Sequence, residues 1–404
     1  MARRTQGEGS ISKREDGRWS VLLSLGVGAD GTRLRRSTTC KTQKEARETL
    51  KTWLSEQEAG LDTSRAARSL TVEAVMEEFL QLCRDKGLRP RTVENYELLS
   101  RGHIIPAIGK MEVVTLNAWT ITRFLTTRKK LTGTGEEKLS PRTVRQMRMV
   151  LRKALEIARK RRVISVNPTD DAEVPPLGHY QAKSLGIEQA MTLLGALPTH
   201  PFGAFYTVML GLGIRPGEAR GLKWEDIVFA DQAGIGGWLW VRRQVQRVKG
   251  EYREVPVKTK KGNRKVVLPA FVATALKQQQ EKQQREILEA NELCIKRPEE
   301  WKDLVFQNRD GNPIEERYVV RRFHQLTDEL NLPAIRLYDL RRTCITVLHA
   351  QGVPLAVIKD IVGHSQISVT ADYYTDTHDP SRDEAARLIN AALSQEEPKK
   401  QGEK

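Results

Sequence analysis

The spacing of apolar residues changes near residue 42. Between residues 9 and 38, apolar and polar side chains alternate with an imperfect period of two, and Asp16-Gly17 gives a turn signal. From Thr42 to Glu58 the apolar positions recur at helical spacing. The pattern therefore predicts a small three-stranded sheet followed by one helix, within a domain of residues 1–62.

A purely helical period follows a polar, alanine-rich stretch at residues 60–70. Thr71 is placed to cap a first helix, and Ser140 followed by Pro141 is a strong start signal for the last one, which runs to Arg162. Two further helices are predicted between them, one beginning near Arg91 and one over residues 117–129. These patterns predict an all-helical domain over residues 63–170.

The last of these helices has two different faces. At 100° per residue its apolar side chains share one face, and an adjacent face carries four arginines. Because Glu156 is the only acid in the span, we predict that this face contacts phosphates, although a solvated charged face is the alternative. The arginines are Arg145, Arg148, Arg152 and Arg159.

The C-terminal half mixes both periods, which predicts an α+β domain over residues 171–394. A polar segment at 169–182 leads into it, and a charged tail at 395–404 is expected to be disordered. Two strands are predicted to pair about Lys249-Gly250-Glu251. The polar stretch 271–298 is expected to be helical, as a mobile connection or a protein contact. The other predicted elements are helices at 186–196, 202–212, 316–331, 338–351, 354–362 and 381–394, and strands at 238–249, 252–258 and 264–268.

Composition narrows the class of partner. The chain has 404 residues, a net charge of +16 and an isoelectric point near 9.7, which favours a polyanion such as nucleic acid, although charge alone also fits a merely basic soluble protein. The four cysteines form no C-x-x-C pair, so reduced thiols are expected. Neither a signal peptide nor a membrane-spanning stretch is visible, so we expect a cytoplasmic protein.

The C-terminal half contains a set of polar residues whose chemistry suits phosphoryl transfer. Two arginines can clamp a phosphodiester through forked donors, and a lysine or histidine can move protons. A tyrosine hydroxyl can attack phosphorus and hold it covalently. With arginines and lysine to stabilise the developing charge, neither a metal nor another cofactor is expected. In chain order the set is Arg215, Lys258, Arg341, His364 and then Tyr373 or Tyr374.

The sequence around these residues resembles that of the tyrosine recombinases, and within that family the phage-type integrases. Gly213-Ile214-Arg215-Pro216-Gly217-Glu218-Ala219 is similar to the family's first arginine box. Val362-Gly363-His364-Ser365 is similar to its third box. Tyr338-Asp339-Leu340-Arg341 is similar to the H-x-x-R box, with a tyrosine where histidine is usual.

This resemblance implies a multidomain, mostly helical protein with small β-sheets, in which each domain has its own function. Residues 1–62 would form an arm-type DNA-binding domain, 63–170 a helical core-binding (SAM-like) domain, and 171–394 the catalytic domain. In the arm domain, Arg33, Arg35 and Arg36 are predicted to contact DNA, with a solvated strand edge as the alternative.

The resemblance also implies roles for the site residues. Tyr374 would form a 3′-phosphotyrosyl link, with Tyr373 as the alternative nucleophile. Arg215 and Arg341 would hold the non-bridging oxygens, and His364 would support the phosphate. Lys258 is preferred as the proton donor to the leaving oxygen, over the other lysines at 260, 261 and 265. Tyr338 would orient the phosphate, because a phenol with a pKa near 10 is a poor base at pH 7.

The implied function is site-specific strand exchange for a phage or another mobile element. Its partners would be attachment-type sites in double-stranded DNA, three further copies of the chain in a tetramer, and an accessory DNA-bending or directionality protein. The alternatives are an enzyme like type IB topoisomerases and a DNA-binding protein with an inactive catalytic domain.

Overall fold

The computed structural model describes residues 9–27, 33–62, 64–127, 129–132, 135–178, 183–232, 234–257 and 260–363. The chain divides into two compact units, residues 1–179 and 180–404. Each unit is described by itself below. No helix in the described ranges has the length and hydropathy needed to cross a membrane.

The first unit begins with an antiparallel sheet of strands β1 (Ser10–Lys13), β2 (Trp19–Val27) and β3 (Arg33–Cys40) in sequential order. Helix α1 (Gln43–Glu58) packs on one face of this sheet. It begins where the Thr42 hydroxyl accepts a hydrogen bond from the backbone N–H of Glu45. The predicted sheet and helix are both confirmed, and their core contains Val21, Leu23, Cys40, Ala46 and Trp53.

The rest of the first unit is mainly helical and has its own apolar core, but an antiparallel hairpin of two short strands corrects the prediction that this domain is all-helical. Thr71 and Ser140 cap their helices through their hydroxyls, as expected. Before Pro106 the chain passes through a π-helical turn, Ser100–Ile104, and continues directly into the next helix. The elements are α2 (Arg65–Arg68), α3 (Val72–Asp85), α4 (Pro90–Leu99), α5 (Ile105–Ile108), α6 (Ala118–Thr127), the hairpin strands β4 (Lys129–Thr132) and β5 (Gly135–Lys138), and α7 (Pro141–Lys160).

The segment that follows α7 differs from the prediction. The sequence predicts a linker from residue 169 and a domain boundary at 170. In the structure Ala172 is buried in the helical core and Val174 packs against it. The Asn167 amide also donates a hydrogen bond to the Arg152 carbonyl oxygen at 2.9 Å. The predicted linker therefore contributes side chains to the helical core, because small apolar residues within a polar segment complete it.

The second unit combines helices with two small antiparallel sheets, as the prediction of an α+β domain requires. One sheet has the order β10-β7-β6, and the other is the hairpin β8-β9. The elements are α8 (Ile187–Ala196), α9 (Gly203–Leu212), α10 (Pro216–Arg220), β6 (Ile227–Gln232), β7 (Ile235–Val241), β8 (Arg243–Val248), β9 (Glu251–Pro256), β10 (Arg264–Pro269), α11 (Ala270–Glu292), α12 (Glu316–Glu329), α13 (Asp339–Ala350) and α14 (Leu355–Val362).

The single strand predicted for residues 238–249 is wrong, because two strands in different sheets occupy this stretch. The chain leaves β7 and enters β8 at Arg242. The buried Asp226 holds this corner by accepting hydrogen bonds from Arg242 at 3.1 Å and from Arg243 at 2.5 Å. Strand β6, which the sequence analysis does not predict, pairs with β7.

Helix α11 is an integral part of the second unit rather than a mobile connection. Val272 and Leu276 lie in the core. Gln283 is also buried, donating to the Leu304 carbonyl oxygen at 2.8 Å and accepting from the Trp224 indole N–H at 2.7 Å. Although the helix is rich in glutamine, one of its faces therefore packs into the core of the unit. The helix predicted at 381–394 and the tail at 395–404 lie outside the described residues.

Candidate active site

The first arginine of the predicted site lies between two helices. Helix α9 ends at Gly213, whose φ of +59° belongs to the left-handed region. Arg215 then occupies the N-cap position of α10, and Pro216 is its first helical residue. Pro216 and Gly217 therefore begin a helix instead of forming an isolated turn.

Glu218 holds Arg215 by two contacts. Its carboxylate accepts from the Arg215 backbone N–H at 3.1 Å and from Nη1 of the same residue at 2.6 Å. Glu218 is only 2% exposed, so this ion pair is anchored from the protein interior. Nη2 of Arg215 also lies 3.5 Å from the Gly363 carbonyl oxygen. The guanidinium is thus fixed at the residue that precedes His364.

The second arginine, Arg341, is the most deeply buried group of the site. It lies in the first turn of α13 and is 1% exposed. Nη1 donates to the Gly213 carbonyl oxygen at 2.7 Å. Within the described ranges Nε and Nη2 have no hydrogen-bond partner. Leaving buried donors unpaired costs free energy. This pair of N–H groups is therefore available to bind an anionic acceptor.

Tyr338 lies at the N-cap position of α13 and is 41% exposed. Its side chain lies close enough to Arg215 to raise the pKa of that guanidinium. The structure therefore brings Tyr338, Arg215 and Arg341 into one neighbourhood, with the phenol on the open side. A hydroxyl in this position can donate to a bound oxyanion.

Arg264 is part of this cluster, and the sequence analysis missed it. Its Nε donates to the Ile361 carbonyl oxygen at 2.8 Å and its Nη1 to the Gly262 carbonyl oxygen at 3.1 Å, while Nη2 lies 3.3 Å from the Glu218 carboxylate. One signal was available in the sequence. Arg264 occupies an inward position in the alternation of β10, in phase with the buried Val266 and Leu268.

The charges of this cluster do not cancel. Burial raises the pKa of Glu218, but Arg264 and Arg215 outweigh it, so the pKa is lowered and the group is a carboxylate. Burial opposes the charge on Arg215, yet Glu218 and Tyr338 raise its pKa. Burial and the charge of Arg215 lower the pKa of Arg341 to about 10, so it stays protonated at neutral pH. Three guanidiniums thus surround one carboxylate, which leaves an excess of positive charge for an anion.

The other predicted catalytic residues are Lys258, His364, Tyr374 and its alternative Tyr373, and they lie outside the described residues. Described residues close to Lys258 and His364 in the chain bind the same side chain, Arg264. Gly262 follows Lys258 by four positions, Ile361 precedes His364 by three, and both carbonyl oxygens accept from Arg264. Within the described ranges, no group of three His, Cys, Asp or Glu side chains is arranged to hold a metal ion.

Two family models match the chain. The model of the phage integrase family matches residues 184–380, and that of the phage integrase N-terminal SAM-like domain matches residues 71–127. An integrase of Streptomyces ambofaciens is 29% identical over 389 residues, covering 92% of this chain and 93% of that protein. A tyrosine recombinase XerC-like protein of Caldanaerobacter subterraneus subsp. tengcongensis is 25% identical over 389 residues, covering 92% and 95%.

Solved structures of integrases share the fold. The Tn1549 transposon integrase in complex with a circular intermediate DNA gives a TM-score of 0.62 at 22% identity, covering 79% of this chain and 100% of that one. The lambda integrase tetramer bound to a Holliday junction gives a TM-score of 0.54 at 14% identity, covering 93% and 97%.

The chain belongs to the phage integrase family. It is a site-specific recombinase of the tyrosine type, as the motifs around Arg215 and Arg341 suggest. The multidomain fold expected from the sequence, mostly helical with small sheets, is confirmed.

The integrase's N-terminal sheet corrects one predicted DNA contact. Arg36 is 8% exposed, forms an ion pair with Glu56, and stacks its guanidinium carbon 4.2 Å from the centre of a Trp53 ring. It faces α1, because it lies in phase with the inward side chains of β3. Arg35 points to the opposite, exposed face, where it pairs with Ser24 of β2. The side chain of Arg33 lies outside the described residues.

The arginine face of α7 has internal partners in the integrase. Nε of Arg145 donates to the Pro175 carbonyl oxygen, and Arg148 donates to those of Thr169 and Asp170. Arg152 forms an ion pair with Asp170, and Arg159 forms one with Glu156. The first three arginines thus attach the segment after α7 to the helix. Their contact with DNA stays a prediction.

Replacing Gly213 by alanine is expected to destabilise the integrase by about 3 kcal/mol. The left-handed backbone penalises any side chain, and the added methyl group would lie 2.9 Å from a Val362 methyl carbon and 3.3 Å from the Cys344 sulfur. Urea unfolding measures the effect. Gly352→Ala is the matched control, because its φ is +76° and nothing lies within 4 Å of the new carbon. It should cost about 1 kcal/mol, and equal losses in the two variants would contradict the steric argument.

Proposed function

We propose that the chain cuts and rejoins double-stranded DNA at attachment-type sites through a 3′-phosphotyrosyl intermediate. The observation that carries this mechanism is the pair of N–H groups on the buried Arg341 that have no partner among the described residues, beside the guanidinium of Arg215. Two forked donors at such a place fit the non-bridging oxygens of a phosphodiester. They are also held in position before the reaction, so they stabilise charge as it develops.

The proposed cleavage step balances without an external energy source. The Tyr374 hydroxyl oxygen bonds to phosphorus while the bond from phosphorus to the 5′ oxygen breaks. The phenolic proton leaves with assistance from His364, and Lys258 donates a proton to the departing oxygen. Tyr338 donates a hydrogen bond to the phosphate. Attack by a 5′ hydroxyl reverses the step and releases the tyrosine, so the bond energy is conserved in the covalent link.

The proposed DNA contacts follow the three predicted domains, whose boundaries are part of the proposal. Residues 1–62 would bind arm-type sites through the exposed sheet face that carries Arg35, while Arg36 holds that sheet to α1. In the helical domain, the exposed arginines of α7 would approach the backbone phosphates while they hold the segment after the helix. The lambda integrase structure is a tetramer on a Holliday junction. We infer a homotetramer on DNA for this chain as well, with an accessory DNA-bending or directionality protein.

A plasmid assay without metal tests this function. The wild-type protein is expected to relax a supercoiled plasmid that carries its attachment site in excess chelator, and to recombine two such sites placed on one plasmid. Relaxation without recombination would instead favour the topoisomerase-like alternative. Neither reaction on DNA that the protein demonstrably binds would favour an inactive DNA-binding protein. The products are separated on agarose gels after protease treatment.

A further inference from the structure

We propose that Arg264 is a positioning residue for Lys258, because it fixes the turn Lys260–Gly262, which follows Lys258 in the chain, against the phosphate-binding arginines. The proposal rests on the function above, because it assigns Arg264 a part in the proton donation made by Lys258. Arg264 itself is not placed at the phosphate. All three of its guanidinium nitrogens are already bonded to the protein.

The three bonds reach three different parts of the site. Nη1 binds the Gly262 carbonyl oxygen, at the end of the short helical turn Lys260–Gly262 that follows Lys258 and Thr259. Nε binds the Ile361 carbonyl oxygen, in the last turn of α14. Nη2 approaches the carboxylate of Glu218, which also binds Arg215. One planar group therefore joins the turn Lys260–Gly262 to the end of α14 and to the carboxylate that holds Arg215.

The site is built closely around this guanidinium. Gly363 has a φ of +72°, and a side-chain carbon added there would lie 3.0 Å from Nη1 and 3.1 Å from Cδ of Arg264. Arg264 is 9% exposed, and burial lowers its pKa. Glu218 compensates for the buried charge at one nitrogen while two carbonyl oxygens receive the others. Such an arrangement requires the fixed fork of arginine, because an ammonium group cannot keep all three directions.

Displacement of Lys258 would have a specific chemical consequence. If Lys258 donates a proton to the departing 5′ oxygen, a misplaced Lys258 slows bond breaking only when the leaving group needs that proton. A thiol has a pKa near 8.5, far below that of an alcohol, so a sulfur in the same bridging position leaves without a general acid. A defect in lysine positioning should therefore disappear on a substrate with a bridging 5′ sulfur.

The test compares the rates of covalent adduct formation for Arg264→Lys and Arg264→Gln with that of the wild type. The substrates are two nicked duplexes carrying the core site, one with the natural bridging oxygen and one with sulfur. On oxygen, each variant is expected to be about 100-fold slower than the wild type, because small misplacements of catalytic groups have effects of this size. On sulfur, each should lie within about threefold of the wild type.

Arg243→Lys is the matched control, since Arg243 is a partly buried arginine of the same unit whose ion pairs are with Asp226, Glu225 and Glu254. It should leave the ratio of oxygen to sulfur rates unchanged. Urea midpoints and DNA affinity are measured on all variants. The conservative lysine variant keeps the test valid if Arg264→Gln fails to fold.

Several outcomes would overturn the inference. Arg264 variants as fast as the wild type on oxygen would do so, and so would variants equally slow on both substrates. Failure of the wild type to form an adduct on either duplex is a different result. It would overturn the proposed function, and with it the role of Lys258 on which this inference depends.

Discussion

Tyr374→Phe is expected to abolish covalent attachment to DNA while leaving DNA affinity within about twofold of the wild type. The substitution removes one oxygen atom, and that oxygen is the proposed nucleophile, so no other step of the reaction can replace it. The loss should exceed the limit of detection, since the covalent intermediate itself disappears. The measurement is adduct formation on a nicked duplex, resolved on a denaturing gel, beside a binding titration.

Tyr373→Phe is the matched control because the two tyrosines are adjacent and differ only in their spacing from His364. It should keep at least about a tenth of the wild-type rate, as expected for a residue near the reaction that does not attack. Loss of the adduct in Tyr373→Phe alone would move the nucleophile by one position and keep the mechanism. An adduct that persists in both single variants would require a different nucleophile.

Much of the fold could be predicted because its signals are local. Ser140-Pro141 and Thr71 mark helix starts through capping, which depends only on the next three or four residues. The alternation in residues 9–38 predicts the first sheet for the same reason. The strand stretch at 238–249 was misread because its corner at Arg242 depends on Asp226, which is distant in sequence and buried only in the folded unit.

The site was partly predictable from the sequence. The residue that the sequence did not reveal is Arg264, which binds the carboxylate that holds Arg215. Arg215 and Arg341 were found through motifs, and the structure brings both beside Tyr338. Arg264 was missed because its role depends on carbonyl oxygens at residues 262 and 361, and no local pattern reveals that separation. Its inward phase on β10 gave the only sequence signal, and a buried arginine on a short strand also fits an ordinary ion pair.

The arginines predicted to bind DNA show the limit of charge patterns. A sequence gives the face of a helix or strand but not the segment that returns to cover it. Arg148 binds the carbonyl oxygens at 169 and 170, and Arg36 turns inward against Trp53. Both positions look like solvent-facing cations in the sequence, because their partners are backbone atoms or lie on another element.

Arg341→Met is expected to lower the rate of adduct formation at least about a thousandfold and to make the DNA-free protein more stable. The rate falls because two buried donors and a charge are lost where the pentavalent phosphorus develops negative charge. Stability should rise because Arg341 is a buried cation with two N–H groups that find no partner in the part of the chain that the structure describes. An apolar side chain of similar length removes that penalty, and the gain should be about 1 kcal/mol despite loss of the hydrogen bond to Gly213.

The opposing effects are measured by urea unfolding without DNA and by adduct formation on a nicked duplex. Arg243→Met is the control, because it removes a partly buried arginine and leaves its buried partner Asp226 with less compensation, so it should destabilise the protein by about 3 kcal/mol. If Arg341→Met destabilises the protein as much as this control, the charge of Arg341 is already compensated without DNA. The proposal that Arg341 keeps two donors available for a phosphate would then be wrong. A more stable but inactive variant would mean that the protein maintains an unfavourable buried charge because the bound phosphate requires it.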